Sequence, residues 1–237
     1  MKLKTVLGDY LFEEHYLVIK VTGKAFDEGS GLLKKYISIF RELLERYRLA
    51  IVAGGGGVAR RYIELFKEVG ISSNYWLDLA GIWASRLNAL LLLAGLAPYA
   101  YPKPATSLEE AVEALGSFRA VTLGGLIPGQ STASVLLEVA EALGVKRVYY
   151  YSAAGRVYSK DPTRYKDAVP LSIITASELK SLLKQENLPG EYALIDAKAL
   201  DIATRSGIEI QVLPYKDPES LIRALSGENP GTIIVPE

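Results

Sequence analysis

The chain has 237 residues, 49% apolar and 23% charged, a globular composition with room for one large domain or two small ones. Lysine plus arginine and aspartate plus glutamate both number 27, and a net charge of zero argues against the broad basic surface that grips nucleic acid regardless of sequence. With no cysteine and a single histidine, His15, disulfides, thiolate nucleophiles, cysteine-bound zinc and histidine-cluster metal sites are excluded as well.

Short apolar runs alternate along the chain with amphipathic helical patterns. Residues 1–15 read as an N-terminal extension without a signal-peptide core, and His15 as a solvated residue just ahead of the first strand. Tyr16–Val21 is a strand that closes on Lys20, where a lysine is costly without a partner. The turn Thr22-Gly23-Lys24 follows, then a helix over Leu32–Tyr47 with Leu33, Ile37, Phe40 and Leu44 on one face. A strand, Leu49–Ala53, runs into four consecutive glycines and a helix over Val58–Glu68 carrying Arg60 and Arg61. Amides at such a helix start can hold a phosphate, and a mere turn would need fewer glycines. Gly54, Gly56 and Ala59 also fit a G-x-G-x-x-A dinucleotide fingerprint with Asp78 about 20 residues on, but no second parallel strand precedes Asp78.

The pattern over Leu79–Leu92 is a helix with Ser85, Arg86 and Asn88 among apolar residues, read as packing against other helices. No apolar run reaches the ~20 residues of a membrane span. Ser107 and Glu110 form a capping box. Strand Arg119–Leu123 leads through a second glycine-rich loop, Gly124–Thr132, into a helix over Ser131–Leu143 that stops at Gly144. Ser131 and Thr132 are hydroxyls at that helix start, suited to a ligand or to plain capping. Strand Lys146–Tyr151 precedes the loop Val157–Pro162, with Tyr158 and the turn signal Asp161-Pro162. Thr175 with Glu178 offers another capping box, Ile208–Leu213 another strand, Asp217-Pro218 a helix start ending at Gly227, and Thr232–Val235 a final strand. Strands apolar on both faces, alternating with helices, specify an α/β fold with a mainly parallel sheet and ligands at the carboxyl ends of its strands.

Five stretches resemble the archaeal uridylate kinases of the amino-acid-kinase superfamily: Lys20–Lys24, Gly54–Tyr62, Leu77–Ala89, Gly124–Thr132 and Val157–Pro162. They occur in the family's order and spacing, and the resemblance runs from Tyr16 to Pro236. It implies a single domain over residues 1–237, a three-layer α/β/α sandwich whose mainly parallel sheet has about eight strands. An acceptor-side half would span about 16–144 and an ATP-side half about 145–237. The implied reaction is transfer of the ATP γ-phosphoryl group to UMP, with Mg²⁺ bound to ATP, in a cytoplasmic homo-hexamer that uses neither nucleic acid nor membrane.

Roles follow at matching positions. Lys20, Gly23 and Lys24 would touch the ATP phosphates, with Gly56 and Arg60 at the phosphate junction; Lys20, Lys24 and Arg60 would be catalytic. Ser152, Tyr158 and Asp161 would line the ATP side. Gly55, Asp78 and the run Leu126, Ile127, Pro128, Gly129, Gln130, Ser131 and Thr132 would bind UMP, and no protein residue is assigned to a metal. Two departures stand out. Gly155-Arg156 replaces the family's usual Asp-Gly pair, and Ala133 stands where many members carry an aspartate. At Gly155-Arg156 the expectation is an arginine that pairs with a phosphate or stacks on adenine. An alternative reading is a lapsed relative that binds nucleotide or oxoanion without transferring phosphate.

Overall fold

The computed structural model describes residues 16–162, 164–185 and 195–237, so His15 and the N-terminal extension lie outside the described residues. In chain order the elements are β1 (Tyr16–Val21), α1 (Lys24–Asp27), α2 (Ser30–Leu43), β2 (Arg48–Ala53), α3 (Gly56–Glu68), α4 (Asn74–Leu96) and α5 (Leu108–Ser117). There follow β3 (Ala120–Leu123), α6 (Thr132–Leu143), β4 (Arg147–Ser152), β5 (Val157–Tyr158), β6 (Pro170–Leu171), β7 (Ile173–Thr175) and α7 (Ala176–Gln185). The chain ends with α8 (Ala197–Ser206), β8 (Glu209–Pro214), α9 (Ser220–Leu225) and β9 (Thr232–Val235).

One seven-stranded sheet, in the order β3-β2-β1-β4-β8-β9-β7, carries the fold, with β5 and β6 as a separate two-stranded hairpin. The first five of these strands pair in parallel; β9 runs antiparallel to β8 and parallel to β7. Seven strands stand against an expectation of about eight. The six strands read from the sequence are all present within a residue or so of their expected ends. Those it missed are two or three residues long, too short for any period to register.

Alternate residues of each strand feed two separate cores, which is why the strands read as apolar throughout. Val18, Ala50, Val52, Val121 and Val148 face a core closed by α5, α6, α7 and α8. Leu17, Ile19, Leu49, Ile51 and Tyr151 face the other, closed by α2, α4 and α9. Each fully buried aliphatic side chain contributes about 1.5–3 kcal/mol.

Helix caps follow the sequence closely, with two corrections. Ser107 accepts from the Glu110 amide at 3.1 Å, but the Glu110 carboxylate turns to the Thr106 amide at 2.6 Å instead of closing the box on Ser107. Asp217-Pro218 does not start α9. It forms a turn in which the Ser220 amide donates to the Asp217 carbonyl at 3.1 Å, while the Asp217 carboxylate pairs with Arg223 at 2.5 Å. Thr175 and Glu178 do form the reciprocal box, at 2.9 and 3.1 Å. Helix α4 is longer than read, at 23 residues, and by length and composition alone it could cross a membrane. Here one side of it packs into the core through Ala89, Leu92, Leu93 and Leu96.

The chain runs β1, β2, β3 to one side and then places β4 on the other side of β1. The sheet order therefore reverses between β1 and β4, and the crevice at their carboxyl ends is where open α/β sheets bind ligands.

Candidate active site

Two glycine-rich turns meet in that crevice. The Cβ of any side chain at Gly23 would fall 1.9 Å from the Gly56 amide nitrogen, so these turns touch backbone to backbone. Gly56 also sits at φ +61°, a conformation suited to glycine. Close approach, more than loop freedom, accounts for the run of four glycines.

The turns enclose a cavity of about 260 Å³ whose wall includes Lys20, Lys24, Arg60, Thr132, Tyr150 and Ser152. A second cavity of about 220 Å³ adjoins it and holds Asp78, Ile82, Ser85, Gly125 and Gln130. Gly55, Gly56 and Thr132 belong to both walls. The first cavity brings three cations together; the second is flanked by apolar side chains from α3 and α4. Such a pair can hold two anions end to end, one phosphate group against another.

Lys20 is only 5% exposed, and burial lowers its ammonium pKa from 10.5 to about 7, opposed by the negative charge of Asp196. Its Nζ lies 4.1 Å from the centroid of the Tyr150 ring. Asp196 is fixed in turn: it accepts from Ser131 Oγ, from Ser134 Oγ at 3.3 Å and from the Ala199 amide at 3.0 Å. Arg60 pairs with Asp27 at 2.9 Å, and Asp27 accepts the Gly57 amide at 2.8 Å. One amide at the start of α3 is thus taken by the chain's own carboxylate, which modifies the expectation of an open phosphate-binding helix end.

Helix α4 positions both turns through the polar residues read from sequence as packing. Asn88 Nδ2 donates to the Gly54 carbonyl at 2.7 Å. Ser85 Oγ accepts the Gly125 amide at 2.8 Å, and Arg86 donates to the Gly125 and Leu126 carbonyls at 3.1 and 3.3 Å. Asp78 accepts the Gly129 amide at 2.8 Å, tying the second loop to the same helix.

Comparison with known proteins follows from this geometry. The model of the amino acid kinase family matches residues 15–214. The chain belongs to the amino acid kinase family. Within it the chain is 56% identical to a uridylate kinase of Staphylothermus marinus over 93% of this chain and 98% of that protein. It is 41% identical to a uridylate kinase of Hyperthermus butylicus over 92% and 97%. Among solved structures, the uridylate kinase of Archaeoglobus fulgidus superposes with a TM-score of 0.83 at 28% identity, covering 93% of this chain and 99% of that one. The sheet seen here is therefore the amino acid kinase fold.

Of the positions the family resemblance singled out, Lys20, Gly23, Lys24, Gly56, Arg60 and Ser152 share the first cavity, and Gly55, Asp78, Gln130 and Thr132 share the second or both. Leu126, Ile127, Pro128, Gly129 and Ser131 lie outside both walls: Ser131 caps α6 by accepting the Ser134 amide, and Gly129 is spent on Asp78. Tyr158 and Asp161 sit in the β5 hairpin and the turn after it, beyond the first cavity's wall, with Arg164 3.5 Å from Asp161. Arg156 donates to the Pro230 carbonyl at 3.3 Å. Gly155 packs on Pro214 at φ +70°, so this turn is stitched to the C-terminal strands. Sequence reasoning missed Asp27, Tyr150 and Asn88. Asn88 carried a signal, a buried-type amide on an apolar helix; Asp27 and Tyr150 carried none, because only the meeting of distant turns and strands gives them partners.

Proposed function

We propose that the chain transfers the γ-phosphoryl group of ATP to UMP, giving ADP and UDP, as a cytoplasmic step of pyrimidine nucleotide synthesis. The observation that supports it is the pair of adjoining cavities sharing Gly55, Gly56 and Thr132, with Lys20, Lys24 and Arg60 on the first. The uridylate kinase relatives and the superposed uridylate kinase structure point the same way. ATP would enter from the half spanning about 145–237 and UMP would sit in the half spanning about 16–144. An oxygen of the UMP phosphate attacks the γ-phosphorus, the bond to the β–γ bridging oxygen breaks, and ADP leaves with the electron pair. Such a reaction needs in-line positioning and neutralisation of spreading charge more than covalent help. Lys20, Lys24 and Arg60 supply that charge, Asp78 holds the acceptor loop, and Ser152 borders the ATP side. Mg²⁺ would arrive on the ATP phosphates, which suits a cavity whose charged side chains are cations.

The homo-hexamer implied by the family resemblance belongs to this reading. Val58, Tyr62, Trp76, Trp83 and Leu87 form an apolar face on α3 and α4, around a hollow of about 390 Å³. Trp83 is 62% exposed there. A contiguous exposed apolar face of this kind marks an interaction surface, and a second copy of the chain is the occupant we assign.

A coupled assay of ADP release with UMP, CMP and AMP tests the activity. Turnover with UMP above the others supports the reading. No turnover with any acceptor, beside tight nucleotide or oxoanion binding, overturns it in favour of a lapsed binder, an alternative that draws no support from the relatives.

A further inference from the structure

Lys20 and Tyr150 are backbone neighbours on adjacent parallel strands, β1 and β4, and both side chains reach the first cavity. Both are nearly enclosed, at 5% and 7% exposure. An ammonium taken out of water needs compensation from nearby groups. Here the close contact is the face of an aromatic ring, with Nζ 4.1 Å from the Tyr150 centroid, and no carboxylate among the described residues forms an ion pair with it. The other charged groups around it come from three directions: Lys24 at the start of α1, Arg60 on α3 held by Asp27, and Asp196 ahead of α8. Lys24 and Arg60 share the cavity wall with Lys20. Asp196 favours a charge on Lys20 from beyond direct contact, and the ring quadrupole favours it at contact.

We propose that Tyr150 is a positioning residue for phosphoryl transfer: its ring face seats the Lys20 Nζ and favours its charged form before ATP arrives. The proposal rests on the first cavity being the ATP phosphate site. It assigns the ring, rather than the hydroxyl, as the working part. A flexible lysine stem would otherwise sample several rotamers, and fixing it beforehand removes that ordering cost from the bound complex.

The test replaces Tyr150 with phenylalanine and then with mono-, di- and trifluorophenylalanine, which keep the ring's shape while draining its face of electron density. Two readouts are taken on the full chain. One is kcat/KM for ATP with UMP as acceptor at pH 7.5; the other is the titration of Lys20 in the unliganded protein, followed by NMR of lysine labelled at the ε-carbon. The trifluoro variant is expected to lose about tenfold in kcat/KM against Tyr150→Phe, with intermediate steps between. The Lys20 titration should move to lower pH in the same order. A flat kcat/KM series overturns the proposal. So does a loss in Tyr150→Phe as large as in the trifluoro variant, which would assign the role to the hydroxyl. A titration that shifts stepwise while kcat/KM stays flat confines the ring to tuning a lysine that ATP does not use, and overturns the positioning role. A parent that makes no ADP with UMP is a separate failure: it overturns the kinase reading, and the titration series then decides alone whether the ring holds the charge.

Discussion

Burying Lys20 costs the fold stability. The unfolded chain carries this lysine with its ordinary affinity near 10.5, whereas burial lowers it to about 7 in the folded protein. Between those values the unfolded chain binds the extra proton, so this residue's contribution makes stability rise with pH across that window. Below pH 7 both states are charged and the full burial cost is present. Lys20→Met should therefore melt above the parent at pH 6, with the gap closing as pH rises toward 10; a gap independent of pH would contradict the burial assignment. Arg60 is the opposite case. It is 58% exposed and pairs with a partly exposed Asp27, so its ion pair contributes at most about 1 kcal/mol to folding. A charge-assisted phosphate contact is larger, about 1.5–3 kcal/mol. Arg60→Ala is expected to reduce kcat/KM for UMP about 10- to 100-fold while shifting the unfolding midpoint little, measured by steady-state kinetics beside urea denaturation.

At the scale of elements, the site depends on where helix and strand ends are pinned. Ser131 caps α6 and donates to Asp196, which caps α8 through the Ala199 amide, so one short network joins two helix starts beneath Lys20. Losing the cap costs about 1 kcal/mol. Ser131→Ala should lower the unfolding free energy by at least that amount and, since Ser131 stands outside both cavities, leave the KM for UMP close to the parent's; a large KM change would return Ser131 to the acceptor site. The turn at Gly23 is more exacting, because backbone of the neighbouring turn occupies the place of a side chain. Gly23→Ala forces that turn to shift, at about 1–3 kcal/mol, and should lower the melting temperature and the ATP affinity together. The glycine loops were legible as strand-to-helix turns because strand, glycine run and helix follow one another directly. Their supports were not, since Ser85, Arg86 and Asn88 take their meaning from loops some 34–40 residues away.

Across the whole molecule, the same two helices serve the site and the surface. One side of α3 and α4 contributes Ala59, Asp78 and Ile82 to the second cavity, while another presents Val58, Tyr62, Trp83 and Leu87 to solvent. A copy seated on that face would stiffen the wall of the second cavity. Trp83→Glu places a charge at the centre of the face and should shift the mass measured by light scattering to a smaller species, with a higher KM for UMP. An unchanged mass would remove this face from the assembly.

What the amino-acid sequence determined alone was the class of fold and the place of its glycine-rich loops at strand ends. Strands apolar on both faces demand helices on both sides, and glycine runs at strand ends are local signals that need no knowledge of distant residues. Residues 1–15 gave no such signal. At Gly155-Arg156 the family resemblance suggested a ligand contact, and the tertiary structure adds packing of Gly155 on Pro214 and a hydrogen bond from Arg156 to the Pro230 carbonyl. Only the tertiary structure decided that Lys20 faces Tyr150, that Asp27 takes the amide of Gly57, and that Ser131 serves Asp196. Each of these pairs joins groups far apart in the chain, and its energy exists only once the sheet order has brought β1 beside β4 and the two glycine turns together.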